Sequence, residues 1–156
     1  MTIARRLKWV LDTHAIDYQV VQHAHTQTSA DSARSAHVPT GRVAKCVLVE
    51  DERGYVLAIV PASCRVSLEA LEQTLGRHLE LASEAELEDI YQDCELGAVP
   101  PVGATRAIPI AVDDSLLRLP DVYFEAGDHE GLVHVTGESF RRLIGASLHG
   151  RFGRVH

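Results

Sequence analysis

Three places in this 156-residue sequence hold residue types suited to chemistry on a carbonyl or a phosphate. The first is Lys45, set in the apolar run Val43, Ala44, Lys45, Cys46, Val47, Leu48, Val49. The chain carries two lysines against thirteen arginines, so a lysine here stands out. Its ammonium is a compact, rotatable point charge that suits a phosphate or a polarised carbonyl. The alternative is a strand residue on the solvent side of the alternation. The second place is the loop at residues 97–103, where Gly97 and Gly103 flank Pro100 and Pro101. Glycine lets backbone approach a ligand and proline stiffens the loop. Rigid N–H donors beside a developing oxyanion would serve acyl hydrolysis; otherwise the loop is a tight crossover. The third is the turn Gly127, Asp128, His129. A histidine there could bond a substrate or move a proton, or it could simply lie at the surface.

Other constellations are weaker. His23 and His25 would share one face of a strand, but no carboxylate or cysteine follows closely enough to complete a metal site, so none is expected. Cys46, Cys64 and Cys94 are far apart and odd in number, which reads as free thiols in a reducing, cytoplasmic setting. Cys46 or Cys64 could act as a nucleophile with a histidine, although free cysteines more often serve as small core residues. No phosphate-binding glycine loop, G-x-S-x-G elbow or H-E-x-x-H occurs.

The elements that must position these residues are legible in outline. Ile3, Leu7, Val10 and Leu11 have helical spacing, predicting a helix over 3–15. A short strand is expected at 18–21 and a helix at 29–37, stopped by Pro39 and Gly41. The runs 43–49 and 55–60, joined by a polar turn, predict a hairpin. Ser67 caps a helix ended at Gly76, and Ser83 with Glu86 forms a capping box for another. Strands are expected at 79–81, 107–112, 122–125 and 132–135, then a helix over 137–144 and a frayed end. Recurrent hairpins among helices favour an α/β fold with a mixed sheet and helices packed around it.

Length and composition fit one domain over residues 1–156. No apolar run is long enough to span a membrane, and residues 1–8 do not resemble a signal peptide. The net charge of −7 argues against a nucleic-acid partner, but the charge is bipolar. Residues 67–95 hold nine acids and one arginine, whereas residues 141–156 hold four arginines and no acid. A basic face can still meet phosphate, although both could be ordinary solvated faces.

A lysine ending Val-Ala-Lys, a Gly-x-x-Pro loop, then a strand followed by Gly-x-His occur in one order. That order resembles the YbaK-like editing domains, related to the insertion domain of bacterial prolyl-tRNA synthetase. His23 before Thr28, followed by Ala30, Ala33 and Ala36, is similar to the family's early segment. The resemblance runs from about Tyr18 to Leu143 and implies a mixed, curved sheet. It implies hydrolysis of the ester joining a wrong amino acid, alanine or cysteine, to proline tRNA. Lys45 then matches the essential lysine, Gly97 and Pro100 the loop, and Gly127 and His129 the later motif. Cys46, Ala98, Pro100 and Gly127 would bind substrate, with Lys45, Gly97 and His129 catalytic and converging on one pocket. Lys45 would hold the terminal phosphate or adenosine, loop amides the carbonyl, and His129 would line the pocket. The alanine-editing branch usually has asparagine where this chain has Cys46. No metal, cofactor or covalent nucleophile is implied. The expected partners are the acceptor end of mischarged tRNA and prolyl-tRNA synthetase; the rival reading is a non-catalytic module that binds aminoacyl-tRNA or a synthetase.

Overall fold

The computed structural model describes residues 2–105 and 107–156. Along the chain run α1 (Arg5–Thr13), β1 (Gln19–Gln22), α2 (Ser29–Ser35), β2 (Val43–Asp51), β3 (Gly54–Pro61) and β4 (Cys64–Val66). Then come α3 (Leu68–Leu75), β5 (Glu80–Leu81), α4 (Glu84–Ile90), β6 (Ile110–Asp113), β7 (Asp121–Glu125) and β8 (Gly131–Thr136). The last elements are α5 (Gly137–Ile144), β9 (Leu148–Gly150) and β10 (Gly153–Val155).

Local chemistry explains most boundaries. Side chains of Thr28, Ser67, Ser83 and Thr136 accept backbone N–H bonds at the starts of α2, α3, α4 and α5. The Ser83–Glu86 capping box is complete, and Gly76 ends α3 in the left-handed region at φ 67°. Asp51 pairs with Gly54 across a two-residue turn at Glu52 and Arg53. Arg77 clamps Asp51 from α3's far end at 2.7 Å through Nε, holding that carboxyl well below the usual range.

One mixed sheet has the order β1-β8-β7-β2-β3-β6-β9, with β5 also pairing to β2. The β2–β3 and β7–β8 hairpins are antiparallel, but β7 joins β2, and β6 joins β3, in parallel. Residues 56–60 of β3 are all fully buried. One face packs Ile59 with α1 and α5 side chains such as Leu7, Leu11 and Phe140. The other packs Val56, Ala58 and Val60 with Leu71 and Phe152. Burial on both faces is why β3 reads as an unbroken apolar run.

Two expectations fail. The strand read at 107–112 starts only at Ile110; Pro109 has no N–H for a ladder, and its carbonyl instead accepts from Leu57 at 2.9 Å. The expected frayed end is ordered as β9, parallel to β6, and β10, antiparallel to β4. Asp113 anchors it by accepting from Phe152 N at 3.0 Å and Gly153 N at 2.8 Å, and Phe152 is fully buried.

Candidate active site

A gap in the sheet creates the site. β7 pairs with β2 only at Val43 and Ala44, and β5 only at Val49 and Glu50. Val43 O accepts from Ala62 on the β3 side, so by antiparallel alternation Val43, Lys45 and Val47 direct their backbone groups towards β3. Ala44, Cys46, Leu48 and Glu50 face the other edge. Ala44 meets β7, Leu48 O accepts from Ala82 N at 3.0 Å and Glu50 meets β5. Among the described residues no strand pairs with Cys46 on that side, and its amide faces the gap.

A cavity of about 510 Å³ fills this gap, bounded by Lys45, Cys46, Val47 and Leu48 on one side. Residues 27–30, Gly97, Leu81, Ala82, Leu87, Ala62 and His156 complete it. Lys45 is half-buried and donates to the Cys64 carbonyl at the start of β4. Burial lowers its pKa, partly opposed by Cys64. Its one described acceptor leaves two ammonium protons for a ligand. The Cys46 thiol is pushed well above its ordinary pKa by burial, with Glu125 and Cys94 adding to the effect. Burial and Asp93 push the Cys94 thiol up to about 12. Neither thiol is a ready nucleophile, because the thiolate is the reactive form.

Gly97 forms the opposite wall with φ +79°. A Cβ there would lie 3.0 Å from Gln27 O and 3.3 Å from His129 Nε2, so only glycine fits. Behind it sits His129, itself at φ 58° and 2% exposed. Its Nε2 donates to Leu96 O at 2.6 Å, and its Nδ1 lies 2.7 Å from Glu125 Oε2. That second contact is close, yet Nδ1 and Glu125 Oε1 both lack a hydrogen-bond partner among the described residues. Burial works against the imidazolium, yet Glu125, the Leu96 carbonyl and Glu95 outweigh it and raise the pKa.

Lys45, Cys46 and Gly97 therefore converge. The expectation that His129 lines the same cavity is corrected: it braces the Gly97 loop from behind and edges a separate hollow with His25 and Glu95. Buried, with its ring nitrogens against Leu96 O and Glu125, it is turned to protein atoms and not to the cavity. Ala98 and Pro100 are buried in the loop's interior and do not line the cavity. Gly127, at φ +128°, accepts from Glu95 N at 2.7 Å, and a Cβ there would meet Ala4 at 3.2 Å. It too is a brace. Of the two histidines once considered for metal, His25 contacts Glu95 at 2.9 Å and His23 faces its neighbour's carbonyl.

Sequence reasoning missed Glu125, which is 1% exposed. It accepts from Ser32 Oγ at 3.1 Å and Ser29 Oγ at 3.5 Å, while Ser29 also reaches Gly97 O at 3.3 Å. One network thus joins α2, the end of β7 and the Gly97 loop. The available signal was an acid closing the apolar strand Val122, Tyr123, Phe124, four residues before His129.

Residues 23–143 match the family described as "Aminoacyl-tRNA editing domain". Two proline–tRNA ligases, from two strains of Xanthomonas oryzae pv. oryzae, are 29% identical over 117 residues, covering 74% of this chain. The chain spans only 20% of the length of those relatives. A solved structure assigned as a trans-editing enzyme for prolyl tRNA synthetase superposes with a TM-score of 0.84 at 25% identity, covering 97% of this chain and 96% of that one. A signal-transduction protein from Marinobacter aquaeolei VT8 has the same fold over 30% of its length, with a TM-score of 0.77, 23% identity and 94% of this chain covered.

Proposed function

The chain belongs to the aminoacyl-tRNA editing domain family, and from that premise we propose that it is a deacylase acting in trans on mischarged proline tRNA. The observation that carries this reading is the half-buried Lys45 ammonium facing the Gly97 loop across a small, largely apolar cavity. The proposed substrates carry alanine or cysteine. Ala30, Val47, Leu48, Ala62, Leu81 and Leu87 offer a small side chain apolar contact. In this reading prolyl ester is spared, because a ring-shaped side chain clashes with a rigid pocket wall.

In this reading Lys45 holds the terminal phosphate or adenosine, and the Gly97 and Cys46 amides steady the ester carbonyl. Water adds to that carbonyl, the bond to the ribose oxygen breaks, and the water's proton ends on that oxygen. The neighbouring ribose hydroxyl helps activate the water, as the family resemblance implies. Free amino acid and uncharged tRNA leave. An ester needs less activation than an amide, so positioning and charge suffice without a metal, cofactor or thiol adduct. The position of Lys45 favours hydrolysis over passive binding, since binding alone needs no half-buried ammonium at the cavity. Residues 1–156 act as one editing domain, with mischarged tRNA and prolyl-tRNA synthetase as partners.

The test is a deacylation panel using proline tRNA charged with alanine, cysteine, serine or proline. Alanyl and cysteinyl esters should be hydrolysed well above the uncatalysed rate, and prolyl ester should be spared. Faster loss of proline than of both small residues would sink the proposal.

A further inference from the structure

We infer that the β4–β10 ribbon is a docking surface for the phosphate backbone of RNA, beyond the terminal nucleotide held in the cavity. This inference rests on the deacylase reading. In the antiparallel register of the ribbon, Arg65 lies directly opposite Arg154, and both are exposed. Like charges directly opposite on a two-stranded ribbon repel. Neither guanidinium has a carboxylate partner among the described residues; other exposed arginines share that, so it is the cross-strand register that sets this pair apart. Arg154 spends one nitrogen on the carbonyls of Arg151 and Gly153, leaving the rest of its fork outward. A repulsive pair with unspent donors, in a protein of net charge −7, is what an anionic partner would relieve.

The placement points to which anion. Cys64, the residue before Arg65, supplies the carbonyl that holds Lys45. His156, two residues after Arg154, lines the cavity and donates its amide to Ser63 O at 3.3 Å. The arginine pair therefore continues from the cavity rim, along the line a strand would take when leaving its 3′ end in the site. Guanidinium suits phosphate oxygens bidentately, and Asp113 fixes the ribbon through the Phe152 and Gly153 amides.

The experiment compares the wild type with R65Q/R154Q and, as a charge control, R53Q. Arg53 sits in the turn at the far end of β2. Affinity for an uncharged proline-tRNA acceptor minihelix is read by fluorescence anisotropy over a salt series. The double variant should bind roughly tenfold more weakly, and its log–log salt slope should be smaller by about 1.5–2, as for two lost phosphate contacts. R53Q should match the wild type. In parallel, hydrolysis of 3′-alanyl-adenosine, which has no phosphate, should be unchanged in the double variant. Equal affinity and slope for wild type and double variant, an equal loss in R53Q, or no minihelix binding by the wild type would each overturn the inference. An acidic protein or an anionic membrane surface as the true partner would show as that last outcome. Failure of the deacylase reading is separate: the wild type would bind the minihelix with the predicted salt slope yet hydrolyse no ester.

Discussion

Lys45 in its apolar strand and His129 in its polar turn are both singled out by the sequence, and the fold treats them oppositely. Lys45 pairs with Val60 of β3 and stands half-buried beside the gap, with one carbonyl acceptor. His129 is enclosed, with one ring nitrogen on Leu96 O and the other against Glu125. A polar group with unspent donors facing a cavity can act on a ligand. One enclosed by protein, with its ring nitrogens against a carbonyl and a carboxylate, holds something else in place. What His129 holds is the loop whose glycine faces Lys45.

That contrast is open to attack, first at Lys45. Lys45→Ala should lower kcat/KM for alanyl-tRNA by roughly 2–4 kcal/mol of transition-state stabilisation, with the thermal midpoint little changed. Lys45→Arg should rescue poorly, because the planar fork is bulkier than an ammonium. Near wild-type rates for Lys45→Ala would end the catalytic reading. Gly97→Ala should come next. Its Cβ would press on Gln27 O at 3.0 Å in a left-handed backbone, costing about 1–3 kcal/mol of stability and displacing the wall. Urea unfolding and single-turnover rates should both register it.

His129→Ala should show the reverse balance from Lys45→Ala. Removing the imidazole strands the buried Glu125 carboxylate, so stability should fall by about 3–5 kcal/mol while turnover in the folded fraction falls less than in Lys45→Ala. A dead but fully stable His129→Ala would instead make His129 a catalytic group. The brace also has a pH signature. Because the folded pKa of His129 is raised above 6.5, its stabilisation is complete below 6.5 and is lost as pH rises through the folded value. The gap in thermal midpoint between wild type and His129→Gln should thus be widest below pH 6.5 and narrow as pH rises above it. Smallest of all, Cys46→Ala should keep most activity, since its thiol is held protonated. Complete loss in alkylation-protected assays would restore a thiol mechanism.

The sequence was most informative where structure is local. The hairpin at Asp51–Gly54, the Ser67 cap and the Ser83–Glu86 box are settled within three or four residues, so pattern alone reveals them. Lys45 was legible because a rare residue type interrupts an apolar run. Gly97 was legible as a glycine beside prolines. Glu125 was not, since nothing in Val-Tyr-Phe-Glu says that Ser29, Ser32 and His129 will surround its carboxylate.

The amino-acid order by itself therefore determined the helices, the two hairpins, the glycine at the loop and the family pattern linking Lys45 to His129. Tertiary structure alone decided that β7 and β5 leave β2 unpaired at Cys46, and so where the cavity opens. It also decided that His129 faces away from that cavity and that residues 148–155 pair as strands. The reason is range. Capping, turns and periodicity act between near neighbours, whereas parallel pairing, a missing partner strand and the burial of a charge depend on residues dozens of positions away.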